Sequence, residues 1–502
     1  MAGQHFFALA CVAAALVASS AARADDGAFA IGAADCKIAN PDPRPGERAT
    51  WSGGCRNGYA DGDGVLQWIE DDLPTSHYDG HMSGGRPEGH GVYEYPESHT
   101  RFEGEFHNGK RQGPGALTRS GGTRVRGLWD KGVLEGQAEA DNPNGYHYVG
   151  GWHNMRPQGQ GDVTYDDGAH YVGSFANGSR DGQGTLTYAG RTTTGMWRNN
   201  ESEGVTDVAG PGDYHFHGTQ VGGKPHGEGE LRDTDGSVYR GSFVRGEREG
   251  QGTITYANGA RYTGGWMRGD WEGQGHLDFA DGGRYDGAMA HNKRNGHGAL
   301  LGSDGMLRDG DWVEDELEGQ ARMTRRDGTT YVGHWHAGKY EGDGVLTMAS
   351  GDVYTGHFKA GQLSGPCVMV DTDGARTEGR WDHDEIDGPV TVTLRDGKVE
   401  HAHYRFGSME GAFDGYTPDG THTVGEMHHG LLDGAASLSY PDGKSAKGGF
   451  KMGKPDGSWT VTDRDGHSVT VEFENGEAKG GSPQMTIPRP VTPNLEGSGL
   501  KA

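Results

Sequence analysis

From Trp51 onward one pattern returns about every 23 residues. A chain that repeats at this spacing can bury its apolar face only by stacking successive copies against one another. Tyr171-x-Gly173-x-Phe175-x-x-Gly178-x-x-x-Gly182-x-Gly184 states the pattern, and the same frame returns at Tyr148, Tyr239, Tyr262 and Tyr331. Unit starts fall at 51, 78, 102, 125, 148, 171, 193, 216 and then every 23 residues to 469, nineteen units with the last truncated. Weaker units keep the frame with substitutions: Thr193 and Arg308 stand where Tyr is usual, and the unit at Glu400 is the poorest. Positions below are counted from the first residue of a unit as offset 0.

The Tyr, Gly and Trp or Phe at offsets 0, 2 and 4 alternate with polar residues, the period of a half-buried strand. Offset 15 is nearly always apolar (Leu66, Val163, Leu186, Ile254, Leu277, Leu346) and offset 17 is often aromatic (Tyr165, Tyr188, Tyr256, Phe279). This is a second strand whose apolar face matches the first. Offsets 19 and 20 are Asp-Gly or Asn-Gly in most units, as at Asp167-Gly168 and Asn258-Gly259. These dipeptides suit a two-residue type I′ turn, so the glycines at offsets 7 and 11 are expected to bound a longer loop at the other edge. Strand glycines let large rings lie over the neighbouring backbone.

The frame closely resembles the MORN repeat, Y-x-G-x-W-x-x-G-K-x-x-G-x-G, over almost all of residues 51–477. The family's Lys is present at Lys110, Lys224, Lys293, Lys339 and Lys454. The resemblance implies an all-β fold: an elongated, curved, single-layer antiparallel sheet of stacked hairpins, solenoid-like. It also implies protein or lipid interaction, scaffolding and self-association rather than catalysis. In enzymes that carry such repeats the chemistry sits in a separate domain, and no segment here fits one.

Composition agrees with repeats rather than a large enzyme core. Gly makes up 94 of 502 residues, while hydrophobic residues are only 32 %. The aromatics (11 Trp, 20 Tyr, 14 Phe) oppose disorder. A net charge of −26 repels phosphate backbones and anionic headgroups, which argues against nucleic acid and against direct binding to an anionic membrane.

Phe6 to Ala18 form a short apolar run followed by Ala22-Arg23-Ala24 and then Asp25-Asp26. This reads as a signal peptide over 1–24, although its first five residues hold no Lys or Arg. Export to the periplasm or exterior of a Gram-negative-like envelope is expected, not a cytoplasmic location. An irregular N-terminal cap is expected over 25–50, the repeat array over 51–477 and a disordered Gly/Ser/Pro-rich tail over 478–502. In an oxidising compartment Cys36 and Cys55 are expected to form a disulfide closing a loop of about 19 residues, worth roughly 3 kcal/mol. Cys367 is left unpaired and reads as a small buried residue.

Motifs that mimic catalysis dissolve into the repeat. Gly333-x-x-x-x-Gly338-Lys339 lacks the Ser or Thr and the helix of a phosphate-binding loop; Tyr340 follows instead. Asp382, Asp384 and Asp387 read as turn residues. The pairs His215/His217, His334/His336 and His401/His403 place two imidazoles on one strand face, which could bind metal or respond to pH, beside the plainer reading of a polar outer face. No catalytic, cofactor-binding or metal-binding residue is assigned, and no cofactor is expected. The expected function is a non-enzymatic protein-interaction scaffold in the envelope, with a protein partner or self-association. The alternative is a module that binds envelope glycan or lipid. The candidate surface is one aromatic-lined face, or the loop rim carrying Trp271, Tyr340 and Leu363.

Overall fold

The structure, a computed structural model, describes residues 29–31, 36–40, 44–417 and 419–479. The expected signal peptide and all but the first residues of the expected tail lie outside the described residues. The chain forms two compact units, residues 1–234 and 235–502. From Tyr59 onward the repeat strands within each pair antiparallel in hairpin order, whereas Lys37–Ala39 meets Tyr59 in parallel, and the single helical element among the described residues is the 3-10 turn Ser120–Gly122.

One repeat is one hairpin. His170–Ala176 pairs with Ser179–Tyr188, placing Tyr171 opposite Leu186, Gly173 opposite Gly184 and Phe175 opposite Arg180. Two steps on the first strand therefore span four on the second. The bulge carries Gly182 in a left-handed conformation (φ 105°), which glycine adopts without steric penalty. A bulge bends its strand, and this one turns the beginning of the second strand back over the first. The same shift recurs in Arg261–Met267 against Asp270–Asp278 and in Thr330–His336 against Lys339–Thr347.

The two turn types are the reverse of the sequence expectation. The tight two-residue turn lies at offsets 6 and 7, where both residues have positive φ: Asn108-Gly109 (47° and 77°), Asn177-Gly178 (50° and 87°), Asn475-Gly476 (49° and 91°). That is the type I′ signature. The Asp-Gly edge is the longer one. Gly168 N–H donates to the Tyr165 carbonyl (3.0 Å), Tyr165 N–H to the Ala169 carbonyl (2.8 Å), and Gly168 has φ 83°. This is a type I turn closed by a left-handed glycine. Asp167 is there for its side chain, whose Oδ1 accepts the Ala169 N–H at 2.9 Å. Asp281, Asp327 and Asp396 do the same for the residue two ahead, which holds each carboxyl below its ordinary range.

The core is built inside the sheet. The Tyr171 ring lies flat over the glycines of its own hairpin: a Cβ on Gly184 would overlap Tyr171 Oη and the ring. Tyr171 Oη donates to the Ser174 carbonyl at 3.1 Å, and Tyr148, Tyr262 and Tyr331 repeat this bond to the residue at offset 3. Where offset 4 is Trp and offset 13 of the preceding unit is Gly, the indole N–H reaches that glycine's carbonyl: Trp197 to Gly184 (3.0 Å), Trp266 to Gly252 (3.1 Å), Trp312 to Gly298 (2.9 Å). Trp152 and Trp335, which follow Ala138 and Ala321, bury their indole N–H without a partner. The rings then interlock edge to face across units. Tyr148 meets Trp152 and Phe175, and Tyr171 meets Phe175 and Trp197, at centroid distances of 5.3–5.5 Å. Such contacts are each worth about 0.5–1.5 kcal/mol beyond the area they bury.

The weaker units follow a second rule that the sequence reading missed. Where offset 0 carries a large ring, offset 13 is glycine; where offset 0 lacks the ring, offset 13 is larger. Val125 goes with Ala138, Thr193 with Thr206, Arg308 with Ala321, Thr377 with Val390, Glu400 with Phe413, Thr423 with Ala436, and Ala446 with Trp459. Ala446–Trp459 is a full exchange. The Trp459 ring covers Gly448, and its indole N–H donates to the Gly449 carbonyl at 3.0 Å, the offset-3 acceptor that tyrosine uses elsewhere. Tyr354 with Cys367 departs from the rule; Cys367 is buried opposite Gly356, and burial pushes its thiol up to about 12.

The N-terminal segment carries short strands rather than irregular chain. Phe29–Ile31 pairs with Lys37–Ala39, and Arg48–Trp51 lies antiparallel to Tyr59–Glu70. Ala39 N–H bonds to the Gly85 carbonyl (2.8 Å) and Gly85 N–H to the Ala60 carbonyl (2.9 Å), tying this segment to the first hairpins. Cys36 and Cys55 form a disulfide with their Cα atoms 5.8 Å apart.

Candidate interaction surface

Because side chains alternate along each strand, burying the rings on one face turns offsets 1, 3, 12, 14 and 16 outward. On this outer face each side chain meets one directly across the ladder: Val172 with Thr185, Thr185 with Thr194, Thr187 with Thr192. The pairs are polar and often charged. Arg126 spans Glu139 and Asp141 (3.2 and 3.3 Å), and His170 meets Asp162 (2.7 Å). His276 bridges Asp286 and Asp278, the latter at 3.0 Å, and these two carboxylates raise its pKa. Exposed pairs of this kind are worth little in stability, about 0–1 kcal/mol each. They present instead a ladder of donors and carboxylates, interrupted by exposed aliphatics such as Val149, Val172 and Val332.

The histidines named from sequence lie along these strands. His215 pairs with Asp207 and His336 with Glu318. His401 Nδ1 lies 3.4 Å from the Thr391 hydroxyl. Asp382 lies against His383 (2.8 Å), Asp384 accepts the Leu363 N–H (2.7 Å), and Asp387 accepts the Phe406 N–H (3.1 Å).

The rim residues singled out from sequence share offset 9, where the bulge folds the second strand over the tyrosine. Tyr340 stacks on Tyr331 (centroids 3.8 Å apart) and Trp271 on Tyr262 (4.5 Å). Leu363 is fully buried and offers no surface, which corrects the expectation that it lines an accessible rim. In other units this position holds Arg: Arg180 lies 4.6 Å from the Trp197 ring and Arg294 4.3 Å from Trp312. Offset 9 is the lid of the ring column, filled by an aromatic, aliphatic or guanidinium group. The tyrosine column of the aromatic-lined face is likewise closed: Tyr148, Tyr171, Tyr239, Tyr262, Tyr285 and Tyr331 are all fully buried, while Tyr188 at offset 17 is exposed.

A further set of residues escaped the sequence reading. The carboxylate or amide at offset 10 reaches the tight turn of the next unit. Glu88 accepts the Asn108 N–H (2.8 Å), Glu135 the Asn154 N–H (3.0 Å), Glu318 the Ala337 N–H (2.8 Å), and Gln158 serves Asn177 (3.0 Å). His107, His153 and His336 bond to the second oxygen of the same carboxylates. The signal was present as a recurrent Glu, Asp or Gln just before the offset-11 glycine. Its target, one unit away, is visible only in three dimensions.

One open depression of about 620 Å³ lies between His90, Glu103, Pro114, Arg124, Arg126 and Leu128.

The MORN repeat model matches residues 78–100, 102–124, 148–170, 171–193, 216–238, 239–261, 262–284, 285–307, 309–330, 331–353, 354–376 and 424–445. These segments are twelve of the units counted above and make up more than half of the chain. No curated protein sequence matches the chain. Among solved structures, the TCP10 domain of Danio rerio CPAP is 14 % identical with a TM-score of 0.24, over 44 % of this chain and 99 % of that one. The Drosophila melanogaster SAS-4 TCP domain, in complex with a proline-rich motif of Ana2, is 15 % identical with a TM-score of 0.22, over 35 % and 90 %. Virginiamycin B lyase from Staphylococcus aureus is 8 % identical with a TM-score of 0.11, over 50 % and 85 %. Likeness at this level carries no argument about function. The repeat frame, the hairpin that each copy forms and the family match converge on one conclusion: the chain belongs to the MORN repeat family.

Proposed function

We propose that this protein is a non-enzymatic scaffold of the cell envelope that holds a partner protein on its polar outer face. One observation carries the reading. The ring columns are buried in packing between repeats, so the accessible, repeated surface is the ladder of His–carboxylate, Arg–carboxylate and Thr–Thr pairs. A broad ladder of this kind suits a protein surface, where many modest polar contacts add up and set the register. The acidic excess favours a partner with a basic face. Export rests on the leader-like residues 1–24, and membership of a family generally without catalysis supports a binding role. An envelope-glycan role needs a platform of exposed rings to stack on sugars; the buried columns do not supply one, and the exposed Tyr188 and Phe406 lie in repeats far apart in the chain.

Crosslinking of the tagged full chain in its native envelope, with the adducts identified by mass spectrometry, tests the proposal. One dominant protein partner, joined through outer-face residues, is the expected result. Co-sedimentation with wall material and no protein adduct would replace the scaffold by the glycan-binding alternative. N-terminal sequencing of the envelope-associated protein is expected to begin at Asp25; a chain that retains Met1 and stays in the cytoplasm would contradict export.

A further inference from the structure

The offset-10 latch takes a different form at one place. In three units a single imidazole meets the latch carboxylate: His107 on Glu88 (2.8 Å), His153 on Glu135 (3.0 Å), His336 on Glu318 (3.2 Å). At Glu410 there are two. His428 Nδ1 lies 2.8 Å from Oε2 and His429 Nδ1 lies 3.0 Å from Oε1. The second histidine occupies the first position of the tight turn, with φ 49°. The two imidazoles face each other with centroids 4.2 Å apart. The ligating atoms of all three residues fall within 4.8 Å of one another.

We infer that Glu410, His428 and His429 form a binding site for a divalent transition-metal cation of the Zn²⁺ type. Two neutral imidazoles and one carboxylate are a borderline-soft donor set; they suit Zn²⁺ or Cu²⁺ and disfavour Ca²⁺ and Mg²⁺, which take oxygen ligands. Tetrahedral Zn²⁺ with ligand bonds of about 2.0–2.2 Å holds its ligand atoms roughly 3.4 Å apart. The nitrogen–oxygen separations here are slightly shorter, so a small outward shift of two exposed imidazoles opens the site. The carboxylate is already oriented: Oε1 accepts the His429 backbone N–H at 2.9 Å, the kind of outer support that fixes a metal ligand. Solvent reaches both imidazoles, so water completes the coordination and the cation needs no channel. The other cluster, Asp463, Asp465 and His467, is a weaker candidate for such a cation, because it offers one imidazole and two carboxylates, a harder donor set.

The test is a calorimetric Zn²⁺ titration of the untagged full chain, beside His429→Asn, His428→Gln and His336→Asn. Asn is at home in this turn, as Asn108 and Asn177 show, so His429→Asn keeps the hairpin. An unchanged circular-dichroism melt checks that for each variant. The wild type is expected to bind one Zn²⁺ in its tightest class. His429→Asn and His428→Gln are each expected to weaken that class at least tenfold, and His336→Asn is expected to leave it unchanged. Equal affinity in wild type and His429→Asn would overturn the proposal. So would an equal loss in His336→Asn, which would assign the binding to scattered surface histidines.

Discussion

Tyr171 and Trp459 fill the same slot from opposite strands. Tyr171 comes from the first strand of its hairpin and lies over Gly184 of the second; Trp459 comes from the second strand and lies over Gly448 of the first. Both hydrogen-bond the offset-3 carbonyl, at Ser174 and Gly449 respectively, and both are fully buried. What the repeat preserves is one ring, one glycine beneath it and one carbonyl to receive its polar atom. Which strand supplies the ring is free. A frame that scores only Tyr at offset 0 therefore ranks the unit at Ala446 as degenerate, although its packing is complete.

The largest effect should come from emptying the exchanged slot. Trp459→Gly removes a buried indole and should cost about 3–5 kcal/mol, read by urea unfolding. Adding Ala446→Tyr to that variant should recover most of the loss, because ring and glycine then sit as they do at Tyr171 and Gly184. A double variant no more stable than Trp459→Gly would break the equivalence. Next comes Gly184→Ala. Its Cβ would overlap the Tyr171 ring, and overpacking of this kind costs about 1–3 kcal/mol. Gly168→Ala meets nothing within 4 Å and bears only the strain of its positive φ, about 1 kcal/mol. Comparing the two melts separates ring contact from backbone conformation.

Tyr171→Phe should cost less, about 1 kcal/mol, by removing the donor to the Ser174 carbonyl. Phe102 and Phe216 already hold this position without a hydroxyl, so a loss well above that would mean the bond carries more than the ring.

The smallest effect tests the poorest unit. Glu400 is buried at offset 0, with Oε1 accepting the Tyr416 N–H at 2.8 Å. Burial raises its pKa above the ordinary 4.5. The folded chain therefore holds this proton more tightly than the unfolded chain. The stabilising contribution is full below about pH 4.5 and is lost as pH rises through the folded value. Glu400→Gln keeps an acceptor for Tyr416 without the charge, so it should melt higher than wild type at pH 7 and match it near pH 4. Equal melts at both values would show that the buried carboxylate carries no penalty.

The period, the two strands per unit and the burial of offsets 0, 4 and 15 were legible in the sequence, because alternation and spacing report directly on strand faces. The turn types were not. Asp167-Gly168 and Asn177-Gly178 look alike as dipeptides, and what separates them is which residues take positive φ. Trp271 and Tyr340 read as exposed rim residues because a flat strand would leave offset 9 outside; the bulge at Gly182 and its counterparts bends that position over the ring column. The offset-10 latch and the Glu410 cluster each join residues about 19 positions apart, across a unit boundary that local patterning does not register.

The proposed scaffold depends on the division between a closed ring column and an open polar ladder. Carboxyl footprinting together with hydroxyl-radical footprinting of the aromatic rings, on the full chain with and without its crosslinked partner, measures that division directly. Protection of outer-face carboxylates such as Glu139, Asp286 and Asp343, with the tyrosine columns unchanged, is the predicted result. Full labelling of those carboxylates in the complex, with the partner attached instead through Trp271 and Tyr340, would contradict it.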